Sequence, residues 1–296
     1  CWETCMSGLE EGVPGDPFGT TAPYSYRFRG ANRYDSFTYP QSGFQIDAQG
    51  KLYTSGIGHI KIVLHCPMRG KVKTLTIRRS STSKWYASFS VECEPERLPE
   101  PPTPVGIDVG LKTFATLSTG EEIENPRFFR KEEKQLARVQ RKHSKFAKGT
   151  PERRKHRKAV ARVHVRIAFK RDNFTHQESR KIVNGYSVIC VEDLHVNRMT
   201  HNHCLAKSIH DASWSEFFSQ LSCKAVEAGR KYTAVNPAYT SQDCSRCHHR
   251  QKMPLSERVY HCPWCLLSLD RDLNASLNIR ALGLQSLGLA REALCL

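Results

Sequence analysis

No run of about 18 apolar residues occurs in the 296-residue chain, so a transmembrane helix is not expected. An apolar stretch of the secretory kind is missing as well. Residues 1–20 are polar, with Gly, Pro and acids, and residues 1–23 read as a disordered leader. A disulfide framework is absent too: eight of the twelve cysteines are scattered without pairing pattern, which fits a reducing, intracellular setting. Acidic residues are scarce, 29 against 45 Lys and Arg, for a net charge of +16. These absences point to a cytoplasmic, nucleoid-associated protein with no membrane partner.

The positive charge is concentrated. Between Arg127 and Arg171 stand 18 Lys/Arg and three Glu, so nearly all of the excess lies in one stretch. Leu136, Val139, Val160, Val163 and Ile167 recur there at roughly helical spacing. Gly149-Thr150-Pro151 interrupts them, with Thr150 suited to an N-cap and Pro151 to the first helical position. The reading is a basic helical hairpin within residues 127–183. Its charge density favours a polyanion partner over a merely solvated helix face. Arg138, Arg141, Lys142, Arg153, Arg154, Lys155, Arg157 and Lys158 are the candidate phosphate contacts.

Four cysteines do form a pattern. Cys244/Cys247 and Cys262/Cys265 are two C-x-x-C pairs, and a two-residue gap lets both thiolates of a pair turn toward one ion. Two such pairs complete a closed tetrahedral set, the arrangement of a structural zinc site with no open position for chemistry. Glycine often follows each pair to supply a positive φ, but here His248 and Leu266 stand there. His248, His249 and His261 are alternative ligands to any one thiolate.

Along the rest of the chain, residues 24–94 read as a small β-barrel or sandwich. Candidate strands are Ser36–Tyr39, His59–Cys66, Lys71–Arg78 and Trp85–Glu92. Basic and aromatic residues alternate in this region (Arg27, Arg29, Arg33, Tyr34, Phe37, Lys61, Lys73, Arg78, Arg79), as on a nucleic-acid surface or on ordinary solvated strands. Residues 95–104 are proline-rich and read as a linker. Residues 105–117, VGIDVGLKTFATL, read as an apolar strand carrying Asp108, followed by a turn at 118–120 and a second strand. Residues 186–193 form a short buried strand delivering Glu192. A helix over 211–229, a strand over 231–235 and a final helix near 273–284 opening at Asp272 complete the order, with 285–296 as a tail. The fold class is α/β.

The order strand-acid, helices, strand-acid, helix, strand, cysteine hairpin, acid-helix suggests three carboxylates gathered at one edge of a mixed sheet. Such a cluster repels itself unless divalent cations neutralise it, and hard Mg²⁺ suits carboxylate oxygens. Two Mg²⁺ would support phosphodiester hydrolysis, with Asp108 bridging both and Glu192 and Asp272 each flanking one. Asp270 is the alternative third acid, and Lys112 a candidate phosphate contact.

The segments GIDVGLKTFATLSTG, VEDLHVNRM, YTSQDCSRC, SERVYHCPWC and LDRDLNAS together resemble the TnpB (OrfB) proteins, over roughly residues 28–283. These are transposon-encoded, RNA-guided DNA endonucleases related to the type V CRISPR nucleases. The resemblance implies a RuvC-like, RNase H-type nuclease fold over residues 105–243 and 266–284. It also implies a zinc ribbon inserted at 244–265 and a wedge-like RNA-binding domain at 24–94. By motif, the catalytic acids fall on Asp108, Glu192 and Asp272. The implied partners are a guide RNA from the transposon end and a target DNA. Measured against the family, the chain is expected to be N-terminally truncated, without the helical recognition lobe. Rival readings are a non-cleaving RNA- or DNA-binding remnant and a junction resolvase acting without RNA.

Overall fold

The computed structural model describes residues 34–47, 50–65, 68–94, 97–99, 101, 103–254 and 256–289. The expected leader, Arg27, Arg29 and Arg33 lie outside the described residues, as does most of the expected tail. Two compact units divide after Glu94.

In the first unit, strands β1 (Ser36–Pro40), β5 (Lys71–Arg79) and β6 (Trp85–Glu92) form one antiparallel sheet in the order β1-β5-β6. A second antiparallel sheet is built from β2 (Phe44–Ile46), β3 (Lys51–Thr54) and β4 (Gly58–Lys61). Period-two alternation puts Leu75, Ile77, Ala87 and Phe89 on one face of the first sheet. Leu52, Phe44, Ile46 and Ile60 from the second close the same small core. The sequence reading missed β2 and β3, which are too short to show a period. It also ran β4 on to Cys66, whereas the strand ends at Lys61.

The second unit is built on a five-stranded sheet in the order β11-β10-β7-β8-β9. These strands are β7 (Val105–Val109), β8 (Thr113–Leu117), β9 (Glu122–Glu124), β10 (Val188–Glu192) and β11 (Lys231–Val235). The stretch 105–117 is not one strand. It folds back at Gly110–Lys112, pairing Ile107 with Leu117 and Val109 with Ala115. Strands β7, β10 and β11 run parallel, which requires helical crossovers. The crossover from β9 to β10 is the basic hairpin, α1 (Phe128–Ser144) and α2 (Pro151–Gly185). Leu136, Val163 and Ile167 seal the two helices together, and Thr150 caps α2 by accepting from Arg153 N at 3.3 Å.

Short helices α3 (Val196–Met199) and α4 (His203–Ala212) precede α5 (Trp214–Glu227). The helix expected over 211–229 is therefore broken. Ser213 takes a left-handed conformation (φ 56°), leaving buried Asp211 to accept from Phe129 N, at the start of α1, at 2.9 Å. The main core lies between one face of the sheet and α2 and α5, around Val105, Ile107, Phe114, Ile189, Phe217 and Leu221. Residues 97–99 of the proline-rich stretch are tied to this unit. Arg230 donates to the carbonyls of Leu98 (3.3 Å) and Pro99 (2.6 Å). A cysteine hairpin with strands β12 (Val259–His261) and β13 (Ser268–Asp270) leads into the last helix, α6 (Arg271–Ser286). Among the described residues no helix is long and apolar enough to cross a membrane.

Candidate functional site

Strand alternation decides which side chains meet. Val105 and Ile107 join the main core, so Gly106 and Asp108 face the other side of the sheet. On β10, Ile189 and Val191 likewise join that core, which turns Cys190 and Glu192 the same way as Asp108. The parallel register pairs Ile107 with Val191, so the next residues, Asp108 and Glu192, stand side by side at the carboxyl ends of adjacent strands. Open α/β sheets characteristically place ligands at such strand ends.

Helix α6 covers this face at very short range. A Cβ on Gly106 would collide with the Ser276 carbonyl oxygen and lie 2.6 Å from Arg280 N, while one on Gly283 would collide with the Cys190 sulfur. One glycine on the strand and one on the helix let the two backbones approach. The first turn of α6 then lies beside the strand ends and brings in Asp272. Asp270 plays a different part: its carboxylate is the N-cap of α6, accepting from Asp272 N (2.8 Å) and Leu273 N (3.2 Å). Of the two acids, Asp272 is the one that acts electrostatically on Asp108.

All three acids bind protons more tightly than ordinary carboxylates, and Asp108 does so partly because of the other two. Burial pushes Asp108 well above the ordinary carboxylate range, and the charges of Glu192 and Asp272 push it further; Arg271 and the Val109 N–H oppose them. Burial raises Glu192, while a hydrogen bond from Thr240 lowers it. Burial and then Asp270 raise Asp272, against Arg258, Arg271 and Lys112. Arg258, from the hairpin, lies 3.8 Å from the Asp272 carboxylate. This donor set is all carboxylate oxygen, partly desolvated and self-repelling, which fits hard divalent cations such as Mg²⁺.

The segment joining β11 to the hairpin is strapped to both strand and helix. Thr240, itself buried, donates to Glu192 Oε1 at 2.6 Å. Its carbonyl accepts from Asn278 Nδ2 at 2.8 Å, and Asn278 also donates to the Asp243 carbonyl at 2.7 Å. One turn earlier on α6, Asn274 donates to the same carbonyl (2.8 Å) and accepts from Ser245 N (2.9 Å). Asn274 and Asn278 fall within the final helix expected near 273–284, where the sequence alone assigns them no role. Their i,i+4 spacing was the available signal that both face the hairpin.

The four cysteines gather tightly. Cys244 Sγ lies 3.5 Å from Cys265 Sγ, and Cys247 Sγ 3.5 Å from Cys262 Sγ. Among the described residues they are the one group whose ligand atoms all lie within 4.8 Å of one another; no histidine joins them, and the carboxylate set is more open. A tetrahedral ion with ~2.3 Å bonds to sulfur spaces its ligands about 3.8 Å apart, so the set fits an ion of zinc's kind. The two knuckles share one geometry. His248 N donates to the Cys244 carbonyl (2.9 Å) and Leu266 N to that of Cys262 (3.0 Å), and both residues have φ 59°. The left-handed turn is thus kept without glycine. Burial works against ionisation of Cys262, but the N–H groups of Cys265 and Trp264 outweigh it and hold the thiol below its ordinary value.

On the basic hairpin, Arg138, Arg141, Lys142, Arg154, Lys155, Arg157 and Lys158 are exposed, and among the described residues none of them enters an ion pair. Arg153 differs. It is half-buried and donates to the Phe146 carbonyl at 2.6 Å, holding the interhelical turn. The acids of α1 are neutralised on another face: Glu132 pairs with Lys170 (2.8 Å) and Glu133 with Lys207 (2.6 Å).

Two family models match this chain. Residues 88–203 match the OrfB IS605 family, described as "Probable transposase", and residues 214–279 match a "Cas12f1-like, TNB domain". A Streptomyces pristinaespiralis protein named "Putative RNA-guided DNA endonuclease" is 39% identical over 222 residues, covering 74% of this chain and 54% of that protein. An Escherichia coli K12 protein, "Putative RNA-guided DNA endonuclease InsQ", is 32% identical over 275 residues, covering 87% of this chain and 68% of that protein. The chain thus spans roughly half to two thirds of the length of these relatives. The solved structure "Cryo-EM structure of the Cas12f1-sgRNA-target DNA complex" shares the α/β fold, with a TM-score of 0.51 at 19% identity over 71% of this chain and 45% of that one.

Proposed function

Since the chain belongs to the OrfB/TnpB family, we propose that it carries the nuclease centre of an RNA-guided DNA endonuclease. In this reading the second unit is a RuvC-like, RNase H-type fold with a zinc ribbon inserted before its last helix, and the first unit binds guide RNA. The observation that carries the reading is the meeting of Asp108, Glu192 and Asp272, from three separate elements, at one edge of the sheet.

The residues would act as follows. Asp108, flanked by the other two acids, would hold the catalytic Mg²⁺ together with Glu192 and Asp272. Bound there, Mg²⁺ supplies water activation and charge neutralisation at the leaving oxygen of a phosphodiester. The raised proton affinities mean that the acids must first lose protons, so their cation affinity rises with pH. Lys112, whose charge reaches Asp272, would meet a backbone phosphate. The exposed basic residues of α1 and α2 would hold the nucleic-acid backbone without reading its sequence. Cys244, Cys247, Cys262 and Cys265 would hold zinc as a structural ion.

The test is cleavage of a randomised DNA target library by this chain bound to RNA transcribed from its own flanking DNA. Mg²⁺-dependent cutting should fall about 10³-fold or more in Asp108→Ala, several kcal/mol of lost charge stabilisation. RNA retention without cutting under any guide would instead establish a non-cleaving binder. Cutting of four-way junctions without RNA would establish a resolvase.

A further inference from the structure

We infer that Thr240 is a positioning residue for the carboxylate site: its hydroxyl fixes Oε1 of Glu192 and leaves Oε2 to a cation. The inference rests on the nuclease reading above and adds a residue that takes no ligand role in it.

Glu192 ends β10 opposite Val235 of β11, and that backbone pairing leaves the torsions of its carboxylate side chain free. Without a partner its carboxylate would rotate, and a cation would have to order it on binding. Thr240 removes that freedom. It is 4% exposed, and its Oγ1 lies 2.6 Å from Glu192 Oε1, against 3.1 Å from the Pro237 carbonyl. A hydroxyl has one proton to give, and the shorter, charge-assisted bond to the carboxylate takes it. The threonine is itself held. Its carbonyl accepts from Asn278 on α6, the helix that carries Asp272. Through Asn278 and Asn274 the same helix grips the Asp243 carbonyl, next to the first metal-binding cysteine. One short strap therefore sets the orientation of one acid relative to another and ends at the cysteine cluster. Partners that orient metal ligands are worth on the order of 10–100-fold in affinity or activity.

The experiment is Mn²⁺ binding to the full chain, followed by electron paramagnetic resonance of the free ion, in the wild type and four variants, with zinc content and thermal melting as fold controls. Thr240→Val keeps the β-branched shape and loses the hydroxyl; it should weaken Mn²⁺ binding roughly 10–100-fold with zinc content unchanged. Thr240→Ser keeps the hydroxyl and should restore binding to near the wild-type value, which a purely packing role for the γ-methyl would not do. Glu192→Gln and Asp108→Ala calibrate loss of a ligand. Wild-type binding that is sensitive to Asp108→Ala but equal in Thr240→Val overturns this inference and leaves the nuclease reading standing. Binding that is absent, or indifferent to Asp108→Ala, overturns the carboxylate site itself and this inference with it.

Discussion

The cysteine cluster draws its four ligands from one short stretch, Cys244 to Cys265, and the carboxylate cluster draws three from Asp108 to Asp272, more than half the chain. The hairpin has a core of little more than Cys244, Tyr260 and Cys262, with Met253 and Leu267 against it. So small an apolar core is little to fold on, and on the proposed reading a bound ion supplies the organising energy. The carboxylates face the reverse situation. A five-stranded sheet, α6 and a full core bring them together whether or not a cation is present, and the scaffold bears their repulsion. On the proposed reading, metal serves folding at one site and chemistry at the other.

Removing metal should separate the two most sharply. Structural zinc contributes on the order of 10 kcal/mol to isolated zinc-finger peptides, and stripping it with a strong chelator, or substituting Cys262→Ser, should abolish hydrogen-exchange protection across residues 244–265. Stripping Mg²⁺ alone should leave protection in β7 and β10 intact while stopping cleavage. A hairpin that stays protected without zinc, or a sheet that loosens without Mg²⁺, breaks the distinction.

Next in size is the scaffold that gathers the carboxylates. Gly106→Ala puts a methyl group into the backbone of α6 at Ser276 and Arg280, neither of which can swing aside. Overpacking of this kind costs roughly 1–3 kcal/mol, read as a lowered melting temperature. It should also weaken Mn²⁺ binding by displacing Asp272, while zinc content stays unchanged. The same methyl group on Gly110, whose Cβ would lie 3.0 Å from only the Thr113 carbonyl, is the milder control.

The contrast also explains what could be read from the chain. The cysteine site was legible because its ligands are local and spacing alone fixes their geometry. Strand β11, the Thr150 cap and the basic hairpin were legible for the same reason: each is a short-range pattern. The candidate acids could be named from strand ends and from resemblance, but the reason they converge lies in long-range packing. Gly106 and Gly283 are 177 positions apart, and nothing in the sequence shows that the first admits the α6 backbone and the second the Cys190 side chain. Thr240 reads as an ordinary loop residue until the fold returns it to Glu192. The fold-back at Gly110–Lys112 was hidden because an apolar run has no period to mark a turn. The break at Ser213 was hidden because the amphipathic pattern continues across it.

The electrostatic cost at the carboxylates can be tested by neutralising one. Asp108→Asn removes a partly buried charge of the set and should stabilise the Mg²⁺-free protein by on the order of 1 kcal/mol, read as a higher melting temperature, while eliminating cleavage. A carboxylate whose proton affinity is higher in the folded than in the unfolded chain contributes stability below its ordinary titration range. That contribution is lost as pH rises through the raised folded-state value. The Mg²⁺-free wild type should therefore gain stability as pH is lowered from neutrality toward the ordinary carboxylate range, and Asp108→Asn should flatten this slope. Cleavage should run the other way, falling with acidification at a higher pH than an ordinary carboxylate pair would give. A flat stability profile in the wild type would show that the acids are not crowded.

The smallest effect lies back at the cysteines, where the strain is local. His248 and Leu266 hold φ at 59°, a conformation costing a residue with a side chain roughly 1–2 kcal/mol. Leu266 is 84% exposed, so its side chain returns almost no burial energy. Glycine adopts this conformation without penalty but adds freedom to the unfolded chain. The net gain from Leu266→Gly should therefore be only about 0.5–1 kcal/mol, and His248→Gly should behave alike because the two turns are built alike. The gain should appear as slower zinc loss to a chelator, with Mn²⁺ affinity at the carboxylates unchanged. A change in Mn²⁺ affinity would instead mean that knuckle strain reaches the strand ends through Asn274, Asn278 and Thr240, joining two sites whose energetics are otherwise separate.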